Sequence, residues 1–392
     1  MRKEIFSPVL ILFVSVFAAA ASYAKSYEKI LTEESSVQTA LSINHDILIK
    51  SQNIEHAKQR IRESRSLYFP KVDLNLNVSR FENAEPMIIM GEISPSPVYI
   101  PGLNKDYYFS TRLSVWQSIY SGGRIRTTNK LAEMNIRKIK NEENLAKIRV
   151  INKVKTVFGS CLYYREMIKH YKYVLSDGKP PRSEAEKINR KIEMAQFNFD
   201  KEMLNLLSAI GLELNTIAGI SGELTPHIRN LNLDQCLLLA YQFKPEIQMT
   251  QYQESIDGLV VNLLSQERIP TVSFGAAQEW LGDKIIGDGS NWYVSLNANI
   301  PIFDGGAAIA RSRQGKINVR EAALKRSKTE EAVRLEVNKA FLEYNFWKRQ
   351  AVLSGILEKD GNYNESDLEI INSLNKSYYA LELAVGVQLD SY

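Results

Sequence analysis

The residue types that most often carry out enzyme chemistry are few and scattered in this sequence. The chain has 392 residues, of which four are histidine and two are cysteine. The histidines, which have neither a metal-ligand spacing nor an HExxH arrangement, are His45, His56, His170 and His227. The segment "SRQGKIN" around Gly315 lacks the first glycine and the Ser or Thr of a phosphate-binding loop. No GxSxG motif occurs, and neither cysteine has a histidine nearby. The sequence therefore predicts that the protein is not an enzyme and holds no metal or cofactor.

Composition and charge exclude further classes of protein. Basic residues number 49 and acidic residues 45, and this net charge of +4 is too balanced to indicate a nucleic-acid-binding protein. No stretch after residue 24 approaches the roughly 18 consecutive apolar residues of a membrane-spanning helix, which excludes a polytopic helical membrane protein. Two cysteines cannot form a disulfide scaffold. We expect Cys161 and Cys236 to be buried apolar positions rather than a disulfide.

The first 24 residues have the pattern of a secretory signal peptide. Arg2 and Lys3 precede an apolar run at 9–21, and "SYA" at 22–24 offers small residues for cleavage. The alternative is a short membrane anchor. A signal peptide would place the mature chain outside the cytoplasm.

Two halves of the chain repeat one another. The segment "ALSINHDI" at 40–47 matches "AYQFKPEI" at 240–247, an offset of 200 residues, and both lead into the segments "YFPKV" and "RIPTV". Further on, "LSVWQSIYSGG" at 113–123 matches "LNANIPIFDGG" at 296–306, an offset of 183. The difference between the two offsets places an insertion of 17 residues in the first copy, between 81 and 107. Such self-similarity indicates one structural unit that is present twice.

The repeat defines the domain organisation. We assign 25–215 to the first repeat, 216–230 to a linker that contains glycine and proline, and 231–392 to the second repeat. Each repeat is predicted to consist of a helix, a strand, a loop, a second strand, a long helix and a returning helix.

Alternating apolar and polar residues predict two strands in each repeat. The four strands are predicted at about 71–81, 107–120, 271–280 and 290–303. Strands of about 9–11 residues cross a bilayer when tilted, so one face could meet lipid and the other an aqueous lumen. The alternative is two ordinary hairpins on the sheet of a soluble protein. Since lipid tolerates no open sheet edge and four strands cannot close a barrel, the membrane interpretation requires several chains.

Proline and glycine mark the positions where strands meet helices. Pro70 and Pro270 are expected to end the first helix of each repeat. A Gly-Gly pair follows the second strand of each repeat, and after it a helical period continues for about 50 residues. These glycines are Gly122, Gly123, Gly305 and Gly306. Helices of that length favour coiled-coil packing.

The order of these segments resembles that of the TolC-type outer-membrane efflux proteins, the outer membrane factors. The resemblance lies in the segments at 40–47 and 240–247, in "FPKV" and "IPTV", in "YSGG" and "FDGG", and in the closing "YYALELAVG" at 378–386. It covers both repeats and nearly all of the chain after residue 24. It implies a mostly α-helical fold, in which long helical hairpins form a tunnel and four strands per chain close a 12-stranded membrane β-barrel in a homotrimer.

The same resemblance implies a function and partners. The protein would be a passive export duct in the outer membrane of a Gram-negative bacterium, surrounded by lipid, with its helices in the periplasm and no cofactor. Its partners would be a periplasmic adaptor and an inner-membrane pump of a tripartite efflux or type I secretion system. Two alternatives stay open: a soluble periplasmic coiled-coil interaction protein, and a degenerate channel paralogue that has lost its partners.

In this family, acidic residues at the periplasmic tip of the tunnel follow a turn glycine. By this resemblance, Gly361 and Asp367 occupy the corresponding positions, and Glu369 lies beside the position of a second acid. Gly178 and Glu184 have the same spacing in the first repeat. A ring of such carboxylates would attract cations. The alternative is an ordinary helix N-terminus, where acidic residues are favoured.

Two features depart from the family. Each Gly-Gly pair ends 55 residues before its turn glycine, which is shorter than usual, predicts a shallower tunnel and puts adaptor docking in question. Residues 124–155 hold ten basic and three acidic residues, and 307–338 hold eight and four. If these charges face inward, the lumen would favour anions; the alternative is a basic outer surface of the tunnel.

Overall fold

The computed structural model of the chain describes residues 29–80, 87–89, 98–100, 107–178, 180–359, 361 and 363–389. The predicted signal peptide at 1–24 lies outside the described residues, as does most of the predicted insertion between 81 and 107. Within the described ranges the chain is mostly helical. None of the helices in these ranges combines the length and the apolar composition that spanning a bilayer would require.

Eight helices and eight strands make up the described part of the chain. The helices are α1 (Glu33–Ile43), α2 (His45–Ser66), α3 (Arg124–Asp177), α4 (Arg182–Ile210), α5 (Leu233–Phe243), α6 (Pro245–Ser265), α7 (Ala307–Leu353) and α8 (Glu365–Val385). The strands are β1 (Lys29–Leu31), β2 (Lys71–Ser79), β3 (Met87–Ile89), β4 (Val98–Ile100), β5 (Tyr108–Tyr120), β6 (Ala218–Ile220), β7 (Thr271–Gly282) and β8 (Gly289–Asn299).

The predicted first helix of each repeat is two helices, because one residue between them is extended. Asn44 has φ −64° and ψ 127°, and its counterpart Lys244 has φ −65° and ψ 121°. Asn44 Nδ2 donates to the carbonyl oxygen of Ala209 (2.8 Å), and Lys244 Nζ donates to that of Ala384 (2.9 Å). The break therefore fastens α1–α2 and α5–α6 to the ends of the returning helices α4 and α8.

Four strands form one antiparallel sheet in the order β2-β5-β7-β8. Within the first repeat Leu74 lies opposite Leu113, and within the second Phe274 lies opposite Leu296. The two hairpins are joined because β5 also pairs with β7, where Val115 lies opposite Ala276. Each repeat thus contributes one hairpin, and the seam between the repeats lies at the centre of the sheet.

Strand ends differ from the sequence prediction, most of all at the last strand. That strand was predicted to reach residue 303, but β8 ends at Asn299. Pro301 explains the difference, since proline has no N–H to donate to a ladder. The other ends shift by one or two residues, and the predicted linker at 216–230 contains β6, which pairs in parallel with β1.

The long helices α3 and α7 continue from the sheet and change neighbours along their length. Near the sheet, α3 lies between α2 and α6; further away it lies between α4 and α8, and α7 packs against α6 and then α8. At 1.5 Å per residue, the 54 residues of α3 span about 81 Å.

Most of the buried core lies in the half of the helices that is remote from the sheet. Phe158, Tyr344 and Tyr378 are among its fully buried side chains. Between Thr127 and Val150, α3 has no buried residue among its described positions. The half next to the sheet is therefore a wall one helix thick with both faces accessible.

Candidate channel wall

One face of the four-stranded sheet is apolar and uncovered within the described part of the chain. Leu74 on β2 is 60% exposed and Leu296 on β8 is 69% exposed. Trp292 and Val294 share the face of Leu296 and are also exposed. A sheet of a soluble protein buries such a face against a core. An uncovered apolar face of this length is what a lipid-facing strand wall requires.

The opposite face of the sheet is polar. It carries Asn75 on β2, and on β8 it carries Asn297 and Asn299, at alternating positions. At its centre Arg112 Nη2 lies 2.8 Å from Glu279 Oε1, across the seam between the two repeats. This face can therefore line water, and the ion pair ties the two hairpins together there.

The aromatic residues of the strands divide between the two faces. Trp292 lies on the apolar face, whereas Trp116 lies on the polar face opposite Gly275. The register of β5 shifts between Ser118 and Tyr120, which brings Tyr120 opposite Val272 on the apolar face. Such a bulge re-aims side chains at the end of a strand. A tyrosine thus sits on the apolar face close to where α3 begins.

Both outer strands of the sheet have a free edge. β2 pairs with β5 only and β8 with β7 only, among the strands that the structure describes. In water, an unpaired strand edge can pair with another chain. In lipid, each backbone group left without a hydrogen bond costs on the order of several kcal/mol. A single chain is therefore incomplete as a membrane wall.

The predicted proline and glycine junctions lie where helix and strand meet. α2 ends at Ser66, four residues before Pro70, and a short 3₁₀ turn separates α6 from Pro270. Both Gly-Gly pairs adopt the left-handed region, with φ of +62° and +86° in the first repeat and +68° and +84° in the second. The second glycine of each pair is the N-cap of α3 or α7. Side chains are strained there, which accounts for two glycines in succession.

The two hairpin tips have different turns. Gly178 follows α3 with φ −75°, a conformation that any residue adopts, whereas Gly361 has φ +81°. The second long helix ends earlier than the turn glycine indicates, because Gly355 with φ +66° follows its last residue, Leu353, by two positions. The two tips are therefore not equivalent, although the sequence spacing is equal.

The predicted tip acids lie in different environments. Asp367 is 2% exposed, whereas Glu369 and Glu184 are exposed. The Asp367 carboxylate accepts from Lys359 Nζ (2.7 Å) and from the Asn364 N–H (3.1 Å), and the Asp367 N–H donates to Asn364 Oδ1 (2.8 Å). This is a capping box at the start of α8. The carboxylate is thus bound within its own chain, which favours the helix N-terminus interpretation over a ring at the axis.

Removing the carboxylate of Asp367 should loosen the second tip. We expect Asp367→Ala to cost about 1–2 kcal/mol locally, because a cap and an ion pair are lost together. Hydrogen exchange of the amides at 364–370 should then accelerate roughly 5–30-fold. Glu369→Ala, which removes an exposed carboxylate two residues away, serves as the control. Equal acceleration in both variants would contradict the capping role.

Glu365 joins the two hairpins and was missed in the sequence. Its carboxylate oxygens accept from Lys191 Nζ of α4 at 2.7 and 2.9 Å. These hydrogen bonds lower the pKa of Glu365 below its usual value, although burial opposes them. The stabilisation is therefore present above the ordinary pKa of a glutamate and is lost as the pH falls through the lowered one. Two residues 174 positions apart carry no sequence signal for this contact.

The basic residues near the start of α3 form an exposed stripe. Arg126, Lys130, Arg137 and Lys140 are exposed at spacings that share one helix face. The stripe ends where α3 becomes buried, since Val154 and Phe158 belong to the core. The lumen side and the outer surface therefore both stay predictions for these charges.

Two ion pairs hold the helices further from the sheet, the first buried on both sides and the second with a half-exposed carboxylate. Lys155 Nζ of α3 lies 3.3 Å from Glu382 Oε2 of α8, and Lys244 Nζ lies 2.6 Å from Glu336 Oε2 of α7. Both cysteines are buried and free, as expected, and burial raises the pKa of the Cys161 thiol to about 12. Neither thiol is therefore a nucleophile at neutral pH.

Within the described residues no group of three or more histidine, cysteine, aspartate or glutamate side chains is placed to hold a metal ion. The candidate site is therefore the four-stranded sheet itself, with one apolar face, one polar face and two unpaired outer strands. Its long helices extend away from one end of that wall.

Comparison with known sequences gives one partial match. No protein-family model matches the chain. The chain is 24% identical over 182 residues to the outer membrane efflux protein BepC of Brucella suis. The match covers 41% of this chain and spans only 40% of that relative.

Comparison with solved structures covers nearly the whole chain. The open MtrE outer membrane channel of Neisseria gonorrhoeae has a TM-score of 0.66 at 13% identity, over 91% of this chain and 89% of that one. The transmembrane channel CusC has a TM-score of 0.65 at 13% identity, over 93% and 94%. The CmeC outer membrane channel of Campylobacter jejuni has a TM-score of 0.60 at 17% identity, over 90% and 85%. The chain therefore has the fold of these channels. This confirms the resemblance to the TolC type and the predicted combination of long helices with a four-stranded sheet.

Proposed function

We propose that this protein is the outer-membrane channel of a tripartite efflux or type I secretion system. It would act as a passive export duct, with the strands in the outer membrane of a Gram-negative bacterium and the helices in the periplasm. The observation that carries this proposal is the four-stranded sheet, whose apolar face and both edges are uncovered in a chain with the fold of solved outer-membrane channels. A soluble periplasmic coiled-coil protein would have no use for such a sheet.

The mechanism is a continuous water-filled path rather than a chemical reaction. Three chains would supply twelve strands, enough to close a barrel whose backbone hydrogen bonds are all satisfied in lipid. The polar face with Asn75 and Asn297 would line the lumen, and the face with Leu74 and Leu296 would meet hydrocarbon. The direction of transport would then come from partners that open the periplasmic end.

A periplasmic adaptor and an inner-membrane pump are the partners that this role requires. The surface available to them is the pair of hairpin tips, at the end of the helices remote from the sheet. Two separate ion pairs lie at these tips, one between Lys359 and the buried Asp367 and one between Lys191 and Glu365. Opening would have to break or bypass these contacts.

Conductance tests the proposal directly. Purified protein in a planar bilayer should give discrete current steps, because closed barrels open a fixed aqueous path. The same protein should stay with membranes during carbonate extraction and leave them only in detergent. Absence of current under every condition, together with release by salt or carbonate, would favour the soluble alternative.

A further inference from the structure

A recess lies where the first repeat changes from helix to strand, between the end of α2 and the start of α3. Its volume is about 420 Å³, which is within the range of small-ligand sites, ~300–1,000 Å³. Arg65 and Tyr68 line it from the side of α2, and Arg126 and Lys130 line it from α3. Two of the three cations are therefore presented by consecutive turns of one helix.

The recess has an excess of positive charge. Glu133 is the one acidic side chain among the described residues that line it, and its Oε1 lies 3.7 Å from Arg65 Nη2. Arg126 and Lys130 are exposed, and neither is in an ion pair with any residue that the structure describes. Three cations thus surround one carboxylate, which leaves two of them available to an anion.

The amide of Asn129 adds a neutral donor between these cations. Asn129 Oδ1 accepts from Ser64 Oγ at the end of α2, and this contact sets the orientation of the amide. The Nδ2 group donates to none of the described residues. A guanidinium, an ammonium and an amide N–H together form a donor set that the oxygens of a phosphate group accept.

The chain on one side of the recess lies on the apolar side of the sheet. Gln117 of β5 points to that side, because it lies opposite Phe274, and Phe274 lies opposite Leu296. Gln117 Nε2 donates to the carbonyl oxygen of Tyr68 (3.1 Å). The rings of Tyr68 and Phe69, which also lines the recess, are 51% and 67% exposed. Exposed aromatic rings at the end of a membrane strand fit the level of the lipid headgroups.

We propose that this recess binds the headgroup of an anionic phospholipid from the periplasmic leaflet of the membrane. Arg126, Lys130 and Asn129 donate to the phosphate oxygens, and Tyr68 flanks the start of the acyl chains. The proposal rests on the proposed function, since only a sheet that lies in the membrane brings lipid to this level. It goes beyond that function by assigning a ligand site to the channel wall.

The donor set is present in one repeat only. The offsets of 200 and 183 residues between the repeats place Ser265 at the position of Arg65, and Ile309 at the position of Arg126. Two of the three cations therefore have no counterpart at the junction of α6 with α7. The expected stoichiometry is one bound phospholipid per chain, although the fold contains two such junctions.

Lipid binding to the purified full chain tests the site. The protein in micelles of a neutral detergent is titrated with phosphatidylglycerol or with phosphatidylcholine of the same acyl chains, and native mass spectrometry counts the bound lipids. The wild-type protein should prefer phosphatidylglycerol. Arg126→Gln combined with Lys130→Gln should weaken that binding roughly 10–30-fold, because two cations beside an anionic headgroup are lost. Binding of phosphatidylcholine should stay unchanged.

The matched control is Arg137→Gln combined with Lys140→Gln. It removes the same charge from the same exposed stripe of α3, about 16 Å further from the sheet, and should leave the affinity for phosphatidylglycerol unchanged. Equal weakening in both double variants overturns the site in favour of unspecific attraction. Equal binding of the two lipids by the wild-type protein also overturns it. Displacement of the lipid by an equal concentration of glycerol phosphate identifies a site for free phosphate instead and overturns the lipid assignment.

A spin label locates the side of the wall on which the recess opens. The label is attached through Tyr68→Cys, with Asn75→Cys on the polar face as the reference, and the wild-type protein controls for its two buried cysteines. In a bilayer, oxygen collects in lipid, whereas a nickel chelate stays in water. The label at position 68 should respond more to oxygen, and the label at position 75 more to nickel. A response at 68 like that at 75 places the recess in the lumen and overturns the proposal.

Conductance separates this inference from the proposed function. The wild-type protein is recorded in a bilayer of phosphatidylcholine, which contains no anionic lipid. A preparation that conducts but shows no preference for phosphatidylglycerol disproves only the lipid site. One that neither conducts nor stays with membranes during carbonate extraction disproves the proposed function, and the lipid site with it.

Discussion

Replacing Leu74 by arginine is expected to abolish assembly of the protein in the outer membrane. Leu74 lies in the middle of β2, on the apolar face, opposite Leu113. An arginine near the bilayer midplane of a strand costs about 2–4 kcal/mol, and a homotrimer would carry it three times, so the total penalty is about 6–12 kcal/mol. A penalty of this size is comparable to the whole free energy of unfolding of a typical domain, about 5–15 kcal/mol. The loss should be visible as a missing heat-resistant oligomer in the outer-membrane fraction.

The neighbouring residue provides the matched control for this experiment. Asn75 has the same strand, depth and exposure class, but its side chain lies on the polar face. Asn75→Arg should therefore assemble and alter conductance instead, because a cation is added to an aqueous lumen. If both variants assembled, or if both failed, the assignment of the two faces would be wrong.

The second large effect is expected at the buried ion pair between α3 and α8. Lys155 and Glu382 have side chains that are only 10% and 7% exposed. The Lys155 ammonium also lies 5.6 Å from the ring centroid of Tyr379, and Glu382 Oε1 accepts from the Leu389 N–H (2.9 Å). Lys155→Met leaves a buried carboxylate without its cation, which costs about 3–5 kcal/mol. Denaturant unfolding followed by circular dichroism should show this loss.

Replacing both partners should be milder than replacing one. In Lys155→Met combined with Glu382→Leu, no buried charge is left uncompensated, so the double variant should be more stable than Lys155→Met alone. The exposed pair Lys325–Glu321 on α7 has a similarly close contact of 2.6 Å. Lys325→Met should lower the free energy of unfolding far less than Lys155→Met does, since exposed helical pairs contribute little. Equal losses from Lys155→Met and Lys325→Met would show that burial does not govern the pair.

Periodicity made the sheet predictable from the sequence. The period of the apolar residues changes from about 3.6 to 2 after Pro70 and Pro270, and the alternation placed the four strands to within a few residues. Alternation is readable because each strand has one apolar face, which meets lipid or a core, and one polar face. The Gly-Gly pairs were readable as strand-to-helix junctions because a helical period follows each of them. Their left-handed conformation is seen only in the structure. The end of β8 was misplaced because apolar alternation continues through Ile300 and Ile302, although Pro301 ends the ladder.

Tertiary contacts explain what the sequence could not provide. The break at Asn44 and Lys244 has local causes, since Asn44 caps α2 and Lys244 precedes Pro245. The hydrogen bonds that both side chains donate to carbonyls far along the chain carry no sequence signal. Asp367 was recognised as a tip acid, but its burial depends on Lys359, which lies across a turn. Glu365 and Lys191 belong to different repeats, and a single sequence gives no reason to pair them.

The duplicated architecture has a consequence for assembly kinetics. A barrel built from several chains has two kinds of contact between hairpins, one within a chain and one between chains. The contact within a chain, β5 with β7, joins two segments of the same polypeptide. Tethering makes that encounter intramolecular, so its rate does not depend on the concentration of the protein. Only the other kind must be found by diffusion. Dilution of newly exported chains should therefore slow closure of the barrel, but it should not slow formation of the four-stranded sheet within each chain.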